Sequence, residues 1–150
     1  MSKKTVSSKD RLLPDGWVKT TIGECAPLQR GFDLPSNNRI DGDYPVVYSN
    51  GIVNYHNTYK VLGSGVITGR SGTLGKVHYV DGNFWPHNTT LWVTQFKNCL
   101  PKFIYYLFKE VKFERFGGGS GVPTLNRNDA HEYEITIPSS IDEQQKSLKP

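Results

Sequence analysis

The glycine-spaced stretch GRSGTLGK, residues 69–76, holds the residue types best suited to binding an anion. Glycine at every third position allows positive φ and exposed N–H groups, and Arg70 and Lys76 place a cation at each end. This pattern predicts phosphate contacts from Arg70, Ser71 and Lys76, although a glycine-rich β-turn with surface charges fits the spacing equally well. A nucleotide P-loop is excluded, because Arg70 and Val77 stand where that motif requires glycine and a hydroxyl residue.

A second set of polar groups surrounds a predicted hairpin turn. Asn50-Gly51 lies between the apolar-rich segments 44–48 and 52–55, an arrangement typical of a β-hairpin. Amides pair with base edges and tyrosine rings stack on bases, but both also suit sugars, and the tyrosines equally fit an aromatic core face. The candidate base-edge or groove contacts are Tyr48, Asn50, Asn54, Asn88 and Thr89.

Three further arginines, Arg30, Arg39 and Arg127, are expected on the same surface as the glycine loop. Two of them belong to residues 26–42, whose low apolar content indicates a solvated loop, the kind of segment in which binding residues concentrate. The net charge of +4 is itself a weak signal. Residues 1–13 hold four Lys/Arg against one Asp, whereas residues 14–137 hold twelve cations against eleven acids. A local basic patch is therefore possible in a nearly neutral domain.

Catalytic and metal-binding motifs are missing from the sequence. Cys25 and Cys99 form no CxxC and the four histidines show no paired ligand spacing, which indicates reduced thiols without zinc. The E-x-K triplet at residues 110–112 falls on a predicted helix without an aspartate-bearing strand, so it does not indicate a nuclease site. Residues 83–86, NFWP, have the wrong order for the [ND]PP[YFW] motif of amino-methyltransferases, and no GxGxxG occurs.

One core and one domain fit a chain of 150 residues with 36% hydrophobic content and no apolar run long enough to cross a bilayer. Apolar periodicity predicts strands over residues 18–22, 66–68, 76–80, 90–94 and 134–137, and an amphipathic helix over residues 101–116. Ser140 and Glu143 form a capping box that opens a last helix.

We therefore expect an α+β fold, with a twisted, mainly antiparallel sheet, one large amphipathic helix and a C-terminal helical stub. A disordered tail is expected over residues 1–12, followed by a domain over 13–138 and a helix start over 139–150.

Four motifs then carry a family resemblance: LPxGW at residues 13–17, GRSGTxG at 69–75, GVPTLN at 121–126, and Ile137-Pro138 followed by EQQ at 143–145. In this order and spacing the chain resembles the specificity (S) subunit of type I restriction-modification systems. The match covers one target recognition domain of the DNA methylase specificity type.

The resemblance implies a non-catalytic, cytoplasmic reader of double-stranded DNA that recognises one half of a bipartite target. It also implies that a long spacer helix beginning at residue 139 docks methyltransferase (M) subunits, with restriction (R) subunits as further partners. S-adenosylmethionine and ATP with Mg²⁺ would belong to those subunits, and no cofactor to this chain. Only one recognition domain is present here, so a second one or a homodimer would supply the other half.

Two other functions remain open from the residues alone. One is a fragment of a nuclease or DNA-modification enzyme, and the other is a β-rich carbohydrate-binding module built on Tyr48, Trp85 and Trp92. Salt distinguishes the sugar-binding module from a DNA-binding protein, because phosphate-dependent binding weakens steeply with ionic strength and sugar binding does not.

Overall fold

A computed structural model describes residues 15–117 and 121–148. Its strands are β1 (Trp17–Thr21), β2 (Leu28–Arg30), β3 (Tyr44–Tyr48), β4 (Gly51–His56), β5 (Gly65–Gly69), β6 (Val77–Val80), β7 (Trp85–Pro86), β8 (Thr90–Val93) and β9 (Glu134–Pro138). The α-helices are α1 (Ile22–Cys25), α2 (Pro101–Val111), α3 (Arg127–His131) and α4 (Ile141–Ser147), with 3-10 turns at Ser36–Asn38 and Phe113–Phe116. The predicted tail over residues 1–12 lies outside the described residues, as do residues 13–14 of the first motif.

Three sheets make up the β structure of the described residues. The strand orders are β2-β8-β5-β6, β4-β3-β7 and β1-β9, and the β3–β7 pair is parallel while the other pairs are antiparallel. The predicted α+β class with mainly antiparallel strands is therefore confirmed. None of the helices in the described part of the chain is both long and apolar enough to cross a membrane.

The predicted hairpin is present as β3 and β4, closed by the turn at Asn50, with Tyr48 paired to Gly51. Val46 and Val47, neighbours on β3, are both fully buried, because successive side chains of a strand point to opposite faces. Val47 packs with Ile67 of β5 in one cluster, and Val46 belongs to a second cluster. The hairpin is thus anchored from both faces to the rest of the domain.

The amphipathic helix α2 is five residues shorter than predicted. Lys112 has a φ of 60°, in the left-handed region, and so ends the helix at Val111 rather than at Phe116. The turn lets Phe113, which is fully buried, pack back onto Phe108 with ring centroids 5.0 Å apart. Tertiary packing therefore overrides a helical pattern that continues in the sequence.

Residues 26–42 are mostly loop, as predicted, but they also contain the short strand β2, which the sequence did not indicate. Leu28 is buried in the main core, and all three residues of β2 pair with β8. A strand of three residues is too short to show an alternating pattern, and β7, with two residues, was missed for the same reason. The short helices α1 and α3 were likewise unpredicted.

The C-terminal helix α4 begins as predicted, since the Ser140 hydroxyl accepts the N–H of Glu143 at 3.1 Å. A fully buried glutamine then fixes the helix to the domain. The Oε1 of Gln144 accepts the N–H of Leu100 at 2.8 Å, and its Nε2 donates to the carbonyl oxygens of Asn98 and Pro138 at 3.0 and 3.1 Å. All the polar atoms of this buried side chain are hydrogen-bonded, so they fix the orientation of α4 relative to the rest of the domain.

Candidate functional site

Strand pairing brings the predicted polar turns to one edge of the domain. In the four-stranded sheet, Arg30 at the end of β2 pairs with Leu91, and Gly69 at the end of β5 pairs with Thr90. The backbone N–H of His87 donates to the carbonyl oxygen of Val47 at 2.9 Å and so joins this edge to the hairpin. We call the resulting patch the strand-end surface, formed by Arg30, Asp33, Tyr48, Ser49, Asn50, Asn54, Arg70, Ser71, Lys76, His78, His87, Asn88 and Thr89.

The turn at residues 87–89 links the two parts of this surface. The Nδ1 of His87 accepts the N–H of Thr89 at 3.3 Å, and the Thr89 hydroxyl accepts the N–H of Ser49 at 3.3 Å. The His87 ring also packs on Tyr48, with centroids 4.4 Å apart. Thr89, predicted as a base contact, is therefore half-buried and holds the hairpin tip in place.

Two arginines of the surface are near enough for their charges to interact. The Nε of Arg70 donates to the carbonyl oxygen of Asn88 at 3.0 Å, and the Nη2 of Arg30 lies 4.0 Å from the Oδ1 of Asp33. Asp33 also accepts a hydrogen bond from the side-chain amide of Asn88. Burial lowers the pKa of Arg70, and the neighbouring charge of Arg30 lowers it further. Asp33 opposes these effects and raises the pKa of Arg70, but the two arginines outnumber this one carboxylate. The cluster therefore keeps a net positive charge, which favours an anionic ligand.

The predicted exposure of N–H groups in the glycine loop is wrong for residues 70–72. The N–H groups of Arg70 and Ser71 donate to the carbonyl oxygen of Thr89 at 2.8 and 3.1 Å, and that of Gly72 donates to the carbonyl oxygen of Pro123 at 3.1 Å. Gly72 and Gly75 do adopt the expected positive φ, 90° and 97°. Any anion contact at residues 70–72 must therefore come from side chains.

Two further predicted cations lie at the margin of the domain edge that carries this surface: Lys76, a member of the surface, and Arg127, beside it. Lys76 is exposed, two residues before His78, whose Nε2 lies 3.1 Å from the carbonyl oxygen of Ser49 at the hairpin tip. Arg127 is exposed at the start of α3, two residues after Leu125, whose N–H donates to the carbonyl oxygen of Arg70 at 2.7 Å.

Arg39 is not brought into this cluster. Its Nη1 lies 2.6 Å from the Oδ1 of Asp41 and donates to the carbonyl oxygen of Tyr55 at 2.7 Å. Tyr55 pairs with Pro45, at the end of the hairpin opposite the tip. A ligand contact from Arg39 stays a prediction, but it would lie away from the other predicted cations.

Sequence reasoning missed Asp33, Ser49, His78 and His87 as members of the surface. Asp33, Ser49 and His87 hold predicted contact residues, and His78 holds Ser49. Each has a partner more than twenty residues away in the chain. Asp33 and Ser49 lie in or beside predicted loops and carry no local signal. His87 is adjacent to Asn88, so proximity to a predicted contact was the one available hint.

The tryptophans of the proposed sugar site do not form an exposed platform. Trp85 is buried, and its Nε1 donates to the carbonyl oxygen of Phe32 at 3.1 Å. Trp92 packs against Phe32 with ring centroids 6.0 Å apart. Because sugar binding needs an accessible ring face, this arrangement disfavours the carbohydrate-binding alternative. In residues 15–117 and 121–148, no three His, Cys, Asp or Glu side chains are grouped to hold a metal ion.

We expect the domain to lose stability in acid through two histidines whose ring nitrogens accept backbone N–H groups. The Nε2 of His131 accepts the N–H of Leu28 at 2.8 Å, as the Nδ1 of His87 accepts that of Thr89. Burial lowers the pKa of both rings below the ordinary 6.5. Since the folded-state pKa is the lower one, this stabilisation is fully present above about pH 6.5 and is lost as the pH falls through the folded-state value.

The measurement is urea unfolding of the wild type and of His131→Gln at about pH 7.5 and pH 5. Glutamine retains a hydrogen-bond acceptor that does not titrate in this range, so the variant should lose less stability on acidification than the wild type. An equal loss in both proteins would contradict the role given to His131.

The sequence profile of the type I restriction modification DNA specificity domain matches residues 14–149 of this chain. Among curated proteins there is no match to the sequence. A type I restriction-modification system S subunit from M. genitalium has a similar crystal structure, with a TM-score of 0.75 and 21% sequence identity over 90% of this chain and 38% of its own.

Two more solved structures share the fold. The HsdS subunit from Thermoanaerobacter tengcongensis is similar over 89% of this chain and 36% of its own, with a TM-score of 0.70 and 13% identity. A chain from a structure on complex assembly and conformational transition of the type I R-M system is similar over 90% of this chain and 37% of its own, with a TM-score of 0.67 and 16% identity. This chain thus corresponds to well under half the length of each similar structure.

Proposed function

Since this chain belongs to the family of type I restriction modification DNA specificity domains, we propose that it recognises double-stranded DNA by sequence through the strand-end surface. The observation that carries the proposal is the convergence of the ordered Arg70, the neighbouring exposed Arg30 and an amide-bearing hairpin tip. The Arg70 guanidinium is held by the carbonyl oxygen of Asn88, and the same Asn88 is tied through Asp33 to Arg30. Cations ordered before binding lose less side-chain entropy when they meet a phosphate.

The surface offers two kinds of contact that DNA recognition requires. Arg30, Arg70 and Lys76 suit phosphates, which position a protein on the duplex without reading its sequence. Asn50 and Asn54 suit base edges, since an amide can pair bidentately with adenine in the major groove. The Oδ1 of Asn54 accepts the hydroxyl of Tyr48 at 3.2 Å, which orients the amide. Ser71, Asn88, Thr89 and Arg127 complete the proposed contacts.

In the complete assembly, the chain would read one half of a bipartite target while partner subunits methylate or cleave the DNA. The chain itself would be non-catalytic and cytoplasmic, and S-adenosylmethionine and ATP with Mg²⁺ would be bound by methyltransferase and restriction subunits. The C-terminal helix α4, which Gln144 fixes to the domain, would begin the spacer on which methyltransferase subunits dock. A second recognition domain or a second copy would supply the other half-site.

Replacing Arg70 with alanine tests the phosphate contact. Loss of one released counterion should weaken binding to every duplex alike and reduce the slope of log Kobs against log salt by about 0.9. We propose to measure affinity for random duplexes between about 50 and 200 mM salt, because a single recognition domain is expected to bind weakly, with a Kd of about 10⁻⁴ to 10⁻⁶ M.

The matched control is Lys109→Ala, which removes a cation from α2, where the ammonium lies over the Tyr105 ring. It should leave the slope unchanged. An unchanged slope for Arg70→Ala would remove Arg70 from the interface, and a salt-independent affinity in the wild type would contradict the proposed function.

A further inference from the structure

Two apolar side chains are exposed within the polar hairpin tip. Ile52 is 43% exposed and Val53 is 65% exposed, and the two follow each other on β4 between Asn50 and Asn54. The strand β4 lies at the edge of its sheet, with β3 on one side. Adjacent aliphatic side chains on a sheet edge are costly to leave in water and mark a contact surface.

A β-bulge produces this double exposure. Val46 pairs with Asn54 and Val47 pairs with Ile52, so Val53 is the extra residue without a partner on β3. In a regular strand, successive side chains alternate, and one of two neighbours would turn towards the covered face. The bulge interrupts that alternation and changes the direction in which a side chain points. Ile52 and Val53 are therefore both presented outward.

The bulge is continuous with the strand-end surface. Asn54, which follows Val53, accepts the Tyr48 hydroxyl, and Gly51, which precedes Ile52, closes the turn opposite Tyr48. On β6 of the four-stranded sheet, His78 contacts the tip through the carbonyl oxygen of Ser49. The apolar pair is thus bordered by the Asn54 amide and by a turn that belongs to the strand-end surface. Because that surface carries Arg30, Arg70 and Lys76 and so favours a polyanion, DNA suits the pair better than an apolar protein partner.

We propose that Ile52 and Val53 read thymine through its C5-methyl group in the major groove, an inference that rests on the proposed DNA recognition. The major groove admits a two-stranded β-ribbon, and thymine is the base that presents a methyl group there. Amides at Asn50 and Asn54 pair with adenine, while the two aliphatic side chains contact the methyl group of thymine. The hairpin tip therefore selects A·T base pairs.

Removing the thymine methyl group tests this directly. The full 150-residue chain is used at low salt to select from two random duplex pools, one containing thymidine and one containing deoxyuridine in its place. We expect enriched A·T positions in the thymidine pool and a loss of about fourfold in enrichment per contacted methyl in the deoxyuridine pool. Val53→Ala should reduce the enrichment at the same A·T positions in the thymidine pool. It should have little further effect on enrichment in the deoxyuridine pool.

Leu62→Ala is the matched control, because Leu62 is 68% exposed and lies outside the β3–β4 hairpin. It should behave as the wild type in both pools. Equal enrichment of the same sequences from both pools would overturn the thymine reading and leave DNA recognition standing. No enrichment from either pool would overturn the proposed function as well. If Val53→Ala alters binding to a partner protein but not the thymidine preference, the pair belongs to a protein interface and the inference is wrong.

Discussion

Replacing Phe84 with alanine should lower the free energy of unfolding by about 3–5 kcal/mol, the usual cost of truncating a fully buried phenylalanine. Phe84 is completely buried in a cluster with Val47 of the hairpin and Ile67 of β5. Its ring lies so close to Gly65 that a Cβ on that glycine would fall 2.2 Å from the ring. Phe84→Ala leaves a cavity, and the tightly packed backbone around it cannot move far enough to fill it. We therefore expect the loss of unfolding free energy to remain large.

Urea unfolding of the wild type and of Phe84→Ala measures this difference. Ile40→Ala, which shortens a side chain that is 60% exposed, is the control and should stay within about 0.5 kcal/mol of the wild type. Because Phe84 joins the hairpin to the sheet that carries Arg70, DNA affinity of the variant should be compared under conditions in which both proteins are folded. A loss of less than about 1 kcal/mol would contradict the central position given to Phe84.

Locally encoded features of the fold were predictable from the sequence. The hairpin around Asn50-Gly51 and the helix cap at Ser140 depend on residues within a few positions of each other, and both are present where expected. Turn and cap chemistry acts over such short distances that tertiary packing rarely changes it.

Features set by distant partners were not predictable. The helix α2 ends early because Phe113 packs onto Phe108, and that contact appears only in the folded domain. The strand β2 exists because β8, more than sixty residues later, supplies its hydrogen-bonding partners. A periodic pattern reports how a segment can bury an apolar face, but not which segment will cover it.

The sequence predicted some residues of the candidate site but not how they come together. Arg70 and the amides of the hairpin were candidates because of their residue types, whereas their convergence depends on the His87 turn and the β3–β7 pairing. The glycine loop, residues 69–76, shows most clearly what the sequence can and cannot predict. Its φ angles follow from glycine spacing, but its N–H groups at residues 70–72 turn inward because Thr89 and Pro123 supply acceptors.

Removing both amides of the hairpin tip should change which DNA sequence the domain prefers. Asn50 is exposed beside the turn, and the amide of Asn54 is oriented by the hydroxyl of Tyr48. Each bidentate amide–adenine contact contributes about 1–3 kcal/mol of discrimination against the wrong base. Phosphate contacts from Arg30 and Arg70 are retained in Asn50→Ala/Asn54→Ala, so affinity for random duplexes should fall much less than the sequence preference.

The most direct test of sequence recognition by the strand-end surface is to sequence the duplexes that each protein retains from one random pool at low salt. The proteins compared are the wild type, the Asn50→Ala/Asn54→Ala double variant, and Gln145→Ala, which removes an exposed amide from α4. The expected result is a consensus containing A·T pairs for the wild type and for Gln145→Ala, with those positions lost or changed in the double variant. The same consensus in all three proteins would contradict recognition by the hairpin tip.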